Sequence, residues 1–427
     1  MRGRPLLAGL CALLLFATAC KKNTNNDVSP NAIVLQPVTV TGNLVKLEWS
    51  RLSNDSLQSY IVARVTDTGN LSNIGSVKYI TVDKSVTTYT DTLPVNPYVQ
   101  YYIMANVLSA NYQGANIQSN KQTYVRTDID FAAMAARDAL YDRNNKQLYI
   151  YSLTGIISVY DLASKKFVRT LNTNSTIGTC DMALYNGKLE LYVPRNDGWV
   201  FIYDAATLTQ IDQVSIGSNA YSVTCNNNKL FISATLTNYN NTVVVYDRTT
   251  RTTLTPNTGV YYSTAPLILI PGTNTEFFCV DNSSEVLRFR FDAQGNYIVQ
   301  KISAISGNYQ LSNPAVVYPD GSKVICGSNG VIVDSNLHTA ITLPYGNLYF
   351  TNFAIDGVGS TIYAATNALS VQTYNMGSYV LDKTYPTQGN PIKVFYDNGK
   401  LITVSLNGAA GTFYSYPSGN FTFVEQL

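Results

Sequence analysis

Asn186-Gly187-Lys188-Leu189-Glu190-Leu191-Tyr192-Val193-Pro194-Arg195-Asn196-Asp197-Gly198-Trp199-Val200-Phe201-Ile202-Tyr203-Asp204 is the stretch that decides the fold. It opens on Asn-Gly, a pair suited to a tight hairpin turn because both central residues need positive φ. An apolar strand anchored by Leu189 follows, then a polar loop, then a second strand ending in Tyr-Asp. Both marks recur. Turn signals stand at Asn144-Asn145-Lys146, Asn227-Asn228-Lys229, Gly272-Thr273-Asn274, Asp320-Gly321-Ser322, Asp356-Gly357 and Asn398-Gly399-Lys400. The apolar anchors after them are Leu148, Leu189, Leu230, Phe277, Val324, Ile362 and Leu401, spaced 41, 41, 47, 47, 38 and 39 residues apart.

The strand-ending pairs are Tyr160-Asp161, Tyr203-Asp204, Tyr246-Asp247, Phe291-Asp292, Val333-Asp334, Tyr374-Asn375 and Tyr416-Pro417, their last residues 43, 43, 45, 42, 41 and 42 apart. Two marks keeping step seven times define a repeat. Each unit has room for four strands of about five residues. One such unit cannot bury both of its faces, so neighbours must stack. The expectation is a β-propeller of seven blades over residues 128–427. A miscounted unit, or an outer closing strand from Asp128 to Ala133, would make the number six or eight. Val200 to Thr207, with Gly217-Ser218-Asn219-Ala220 opening the next unit, resembles the YVTN-repeat propellers of exported bacterial proteins.

Upstream, residues 32–127 show short alternating runs and no helical period. Val45-Lys46-Leu47-Glu48-Trp49 puts Val45, Leu47 and Trp49 on one face, which makes Trp49 a core residue. With the Leu93-Pro94 turn, Tyr98 beyond it and the strand Tyr101 to Val107, this segment resembles an immunoglobulin-like fibronectin type III sandwich. The resemblance makes Tyr98 the candidate corner tyrosine. The chain as a whole is expected to be all-β.

Residues 1–19 have the parts of a secretory leader: Arg2 and Arg4, an apolar run from Leu6 to Phe16, and small residues before Cys20. The run is shorter than the roughly 20 residues a spanning helix needs. Ala17-Thr18-Ala19-Cys20 resembles a bacterial lipobox, which implies acylation of Cys20 and anchoring of the mature chain by two or three acyl chains such as palmitate. Residues 20–31 then read as a flexible tether. Removing Arg2 and Arg4 takes the 29 basic residues to 27, matching the 27 acidic ones. A mature chain with zero formal charge has no electrostatic footprint for nucleic acid. Cys180, Cys225, Cys279 and Cys326 are widely spaced and His338 is the single histidine, so no metal site is expected and no cofactor motif is present. The cysteines read as buried free thiols.

No nucleophile elbow, phosphate loop or paired-carboxylate motif stands out, and an enzyme is not expected. Arg137-Asp138 and Cys180-Asp181 open the first two units 43 residues apart, which makes Arg137, Asp138 and Asp181 candidates for a central channel. Aromatic residues stand beside amides in the connections at one end of the repeats: Arg195, Asp197, Trp199, Asn219, Tyr221, Tyr239, Tyr261, Tyr262, Asn308, Tyr309, Asn347 and Tyr349. Aromatic faces cover the C–H face of a sugar while amides and carboxylates take its hydroxyls. The same residues also suit a protein partner. Lipobox, tether, sandwich and propeller together look like surface lipoproteins of the Bacteroidota. That resemblance implies an outer-membrane anchor, display at the cell surface with a periplasmic position open, and polysaccharide or glycoconjugate as ligand. The alternatives are a protein-interaction scaffold of the cell envelope, or an enzyme built on Asp, Arg and Tyr. Asp55-Ser56-Leu57 and Asp91-Thr92-Leu93 match that phylum's short O-glycosylation signal.

Overall fold

A computed structural model describes residues 32–67, 74–108, 117–235, 241–254, 265–273, 275–280, 285–302, 311–338, 340–408 and 421–427. All of its regular structure is β, in many small antiparallel sheets, and the described residues contain no helix. The chain forms two compact units. One takes residues 1–63, 79–92 and 101–122; the other takes 64–78, 93–100 and 123–427.

Near the N-terminus, Thr39–Thr41, Leu44–Glu48 and Thr88–Thr92 make a three-stranded sheet. A five-stranded sheet runs Ile74–Asp83, Leu57–Asp67, Tyr98–Val107 and Ile117–Gln118, with Gln122–Val125 also on Tyr98–Val107. Val45, Leu47 and Trp49 are buried on one face as their alternation requires. The Trp49 ring meets Tyr60 edge-on at 5.7 Å. The Tyr101 hydroxyl reaches back to donate to Asp91 Oδ2 at 3.0 Å. Tyr98 lies on the half-buried face of the same strand, because an odd offset of three residues reverses the side chain.

Seven sheets follow in chain order, spanning 138–172, 181–215, 220–254, 267–302, 315–342, 350–386 and 390–426. Among the described residues the first six have four strands each, and the seventh has three. Each sheet is a meander whose strands pair in sequence order. Asn186-Gly187, Asn227-Asn228 and Asn398-Gly399 form two-residue turns with positive φ at both positions. Asp356-Gly357 does not. There Asp356 pairs with Thr361 across a four-residue loop, and the left-handed residue is Ser360.

The Tyr-Asp mark has a physical cause. Asp161, Asp204, Asp247, Asp292, Asp334 and Asn375 each accept a backbone N–H two to four residues on, from Ser164, Thr207, Thr249, Asn296, Asn336 and Gly377. Each thereby shapes the turn into the last strand of its sheet. The residue before each one, aromatic in all but Val333, is buried. Backbone and side-chain bonds from Ser164 hold Asp161 below the usual carboxylate range.

Successive sheets bury a shared apolar core along each seam between them. Tyr149, Val159, Leu191 and Val193 join the first sheet to the second, and Tyr192, Ile202, Val223 and Ile232 the second to the third. Phe231, Phe277, Phe289 and Phe291 join the third to the fourth. The series continues through Phe278 with Val324, Ile332 with Phe353, and Tyr363 with Val394. It ends with the seventh sheet on the first, where Leu148, Ile150, Ile402 and Val404 share one core. The Asp128 to Ala133 segment supplies an outer partner here. Ala132 and Thr422 exchange both backbone bonds, at 2.8 and 2.9 Å, on the free edge of Thr422–Gln426.

The residue after each anchor sets the chemistry of the seam that follows. Those residues are Tyr149, Glu190, Phe231, Phe278, Ile325, Tyr363 and Ile402, all buried. Six are large apolar or aromatic groups; Glu190 is a carboxylate. Arg248 of the third sheet answers it with bonds of 2.9 Å to both Glu190 oxygens and 2.6 Å to Asp212, its guanidinium 4.6 Å above the Tyr185 ring. Tyr192 donates to Glu190 at 2.7 Å.

Candidate functional site

One corner of the seven-sheet unit gathers five of the expected ligand residues: Arg195, Asp197, Trp199, Asn219 and Tyr221. It is made by the turn between the second and third strands of the second sheet and by the entry to the third sheet. In that turn Arg195 N donates to Trp199 O at 2.8 Å and Gly198 N to Arg195 O, with Gly198 at φ 90°. The first sheet repeats the arrangement at Ser152 and Gly155, with φ 88°. Glycine is required at 198 for that φ, and a Cβ there would also press on Ser218 N at 3.3 Å. The turn is thus a fixed device of the repeat, and the second sheet uses it to present Arg195-Asn196-Asp197 where the first has Ser152-Leu153-Thr154.

Backbone bonds fasten this turn to its neighbours. Ala220 N donates to Arg195 O at 3.2 Å, Ile216 N to Gly198 O at 2.8 Å and Asn196 N to Thr176 O at 3.1 Å. Asn196, Asp197 and Asn219 are exposed, and the Trp199 and Tyr221 side chains are half-buried. Arg195 uses three of its five N–H groups. Its Nε donates to Asp197 Oδ1 at 3.1 Å, one Nη meets Asp197 Oδ2, and the other lies 3.5 Å from Thr173 O. The guanidinium also stacks over Phe201 at 4.2 Å. Sequence reading picked the residue types of this corner but missed the pairing of Arg195 with Asp197 and its seat on Phe201. Ser218, whose hydroxyl is buried without a partner, also went unnoticed.

Asn347 and Tyr349 lie elsewhere, at the entry to the sixth sheet. Both are exposed, Tyr349 at 53%. Tyr349 occupies the position that Asn219 has in the third sheet: Asn367 N donates to Tyr349 O at 2.9 Å as Thr235 N does to Asn219 O at 3.2 Å. Tyr239, Tyr261, Tyr262, Asn308 and Tyr309, like Cys20, are outside the described residues. A shallow depression lined by Thr361, Tyr374, Asn375, Ser378 and Asp382 is at the opposite end of the sixth sheet from Tyr349.

Asp138 and Asp181 are the first residues of the first strands in their sheets, at equivalent register. Lys393, at the same register in the seventh sheet, pairs with Asp138 at 2.7 Å, and Tyr151 OH lies 3.3 Å from the other oxygen. Sequence reading did not single out Lys393, which has no local motif. Asp181 instead accepts the amide of Cys225 from the next sheet at 2.7 Å and that of Met182 at 2.8 Å. Burial pushes its pKa up to about 6, against the pull of those two backbone bonds. Arg137 donates its backbone N–H to Tyr151 O at 2.8 Å.

Cys180, Cys225, Cys279 and Cys326 are free thiols. Burial raises the Cys180 thiol and pushes Cys225 and Cys326 up to about 12, so these three are poor nucleophiles at neutral pH. His338 is exposed beside the Asp334 turn. Among the described residues no group of three or more His, Cys, Asp or Glu is placed to hold a metal, and no helix is long and apolar enough to cross a membrane. A scan against family models and a search of curated proteins each found no match.

Proposed function

We propose that this chain is a lipid-anchored cell-envelope protein that binds polysaccharide or glycoconjugate, without catalysis, at the Arg195–Tyr221 corner. In this reading the seven sheets are the blades of a β-propeller closed by Ala132 on Thr422, and residues 32–127 are a fibronectin-like spacer. Support for the closure comes from the seventh sheet sharing its core with the first. The observation that carries the ligand reading is the pairing of aromatic and polar groups: half-buried Trp199 and Tyr221 flanked by exposed Asn196, Asp197 and Asn219. An aromatic face gives a sugar ring its apolar contact, and few convergent polar groups fix its orientation.

The test is capture of the full chain, in mild non-ionic detergent, on beads carrying neutral polysaccharides such as galactomannan, β-glucan or dextran. Trp199→Ala and Tyr221→Ala are expected to abolish capture. Undiminished capture of both variants would overturn this choice of surface. Anchoring is checked separately: Cys20→Ala should lose labelling by palmitate, and a variant that still sediments with membranes refutes the lipoprotein reading.

A further inference from the structure

The corner contains one strongly basic side chain in its turn, and that side chain already has a carboxylate partner. Arg195 has five N–H donors in a fixed fork. Asp197 takes the Nε edge of the fork in bidentate fashion, Thr173 O stands at the other nitrogen, and Phe201 covers one face of the plane. The Arg195 side chain keeps only 15% of its surface exposed, whereas Asp197 keeps 41%. What the turn offers to solvent is therefore the outer lone pairs of a carboxylate together with the amides of Asn196 and Asn219. A carboxylate accepts hydrogen bonds and repels anions; it suits hydroxyl donors.

We propose that Asp197 is a specificity-determining residue. By holding Arg195 in a bidentate pair it makes the corner select uncharged, hydroxyl-rich ligands over carboxylated or sulfated ones. This rests on the reading of the corner as a glycan-binding surface. An acidic sugar arriving here meets the Asp197 carboxylate first, and it could reach the guanidinium only by displacing a bidentate pair. Selectivity of this kind works through a repulsive element as much as through attraction.

The experiment compares the full chain, Asp197→Ala and the double variant R195Q/D197A on galactomannan beads and on polygalacturonate beads at low salt. Wild type is expected on galactomannan and not on polygalacturonate. Asp197→Ala should gain polygalacturonate binding on the order of tenfold, the strength of one charge-assisted contact. The gain should vanish in the double variant and in high salt. Wild-type capture on polygalacturonate equal to that on galactomannan would overturn the inference. So would an Asp197→Ala variant that gains nothing while galactomannan binding persists, and that result leaves the glycan reading standing. Wild-type protein retained on neither polymer, with no gain in Asp197→Ala, overturns both.

Discussion

The third sheet has two faces, both of which bury apolar groups, but only one of them adds a buried ion cluster. Toward the fourth sheet it presents Phe231, which packs at 4.5 Å from Phe277 and 5.2 Å from Phe291 in a seam of aromatic and aliphatic groups. Toward the second sheet it sends Arg248 into a pocket made by Glu190, Asp212 and Tyr185. The repeat register is the same in both seams, since Glu190 and Phe231 each follow their anchor. A shared backbone plan thus leaves the chemistry of each seam to one position. The apolar seam relies on area and fit. The charged seam has an apolar core of its own, and beside it the desolvated ions must compensate one another.

Removing Arg248 alone should give the largest effect. Arg248→Met leaves the buried Glu190 carboxylate without its cation, and we expect a loss of about 3–5 kcal/mol in denaturant unfolding. Adding Glu190→Leu should restore most of it, since replacing a buried pair by apolar groups is often neutral. A double variant as unstable as the single one would show that the seam needs charge. Asp181 sharpens the contrast through pH. Its carboxylate bridges the same seam to Cys225, and its pKa in the folded chain is raised to about 6 from an ordinary value of 3.8. A raised carboxylate means that the folded state holds its proton more tightly than the unfolded state. Its contribution to stability should therefore grow as pH falls from 7 to 4. Asp181→Asn should remove that slope, read as a flatter profile of Tm against pH, although its NH2 group must face one of the two backbone N–H groups that the carboxylate accepts.

The apolar seam should forgive more. Phe277→Leu nearly conserves volume, and its cost should be about 1–1.5 kcal/mol with no dependence on salt. At the rim of the charged seam, Arg251 contacts Asp212 at 3.0 Å with 65% of its side chain exposed. Arg251→Ala should cost under about 1 kcal/mol, and 0.5 M salt should erase the difference, on the order of a Debye length of a few ångströms. A cost near that of Arg248→Met would dissolve the distinction between buried and exposed partners.

Much of this architecture was legible because its signals are local. The seven anchors fall in the second strands of the seven sheets, and the Asp of each strand-ending pair acts on its own turn within four residues. What stayed hidden involves partners far apart in the chain. Glu190 and Arg248 are 58 residues apart, and nothing beside Glu190 announces that a carboxylate sits inside a seam. The partnership of Ala132 with Thr422 joins segments at opposite ends of the unit. In the candidate site, residue types gave the corner its aromatics and amides. The state of Arg195 depends on rotamers that put its fork on Asp197 and its plane on Phe201, and composition does not record that.

The exchange between Ala132 and Thr422 also bears on the order of folding. A chain made from its N-terminus produces residue 132 about 290 residues before residue 422. Six sheets can stack one after another by short-range meanders, but the strand Thr422–Gln426 that meets Ala132 arrives long after it. The seam between seventh and first sheets is therefore a long-range closure, which pays loop entropy before its contacts form. Until then Ala132 waits unpaired, and the first and last sheets each keep a face open. Residues 421–427 thus weigh on the whole unit far beyond their number, as a clasp does on a bracelet.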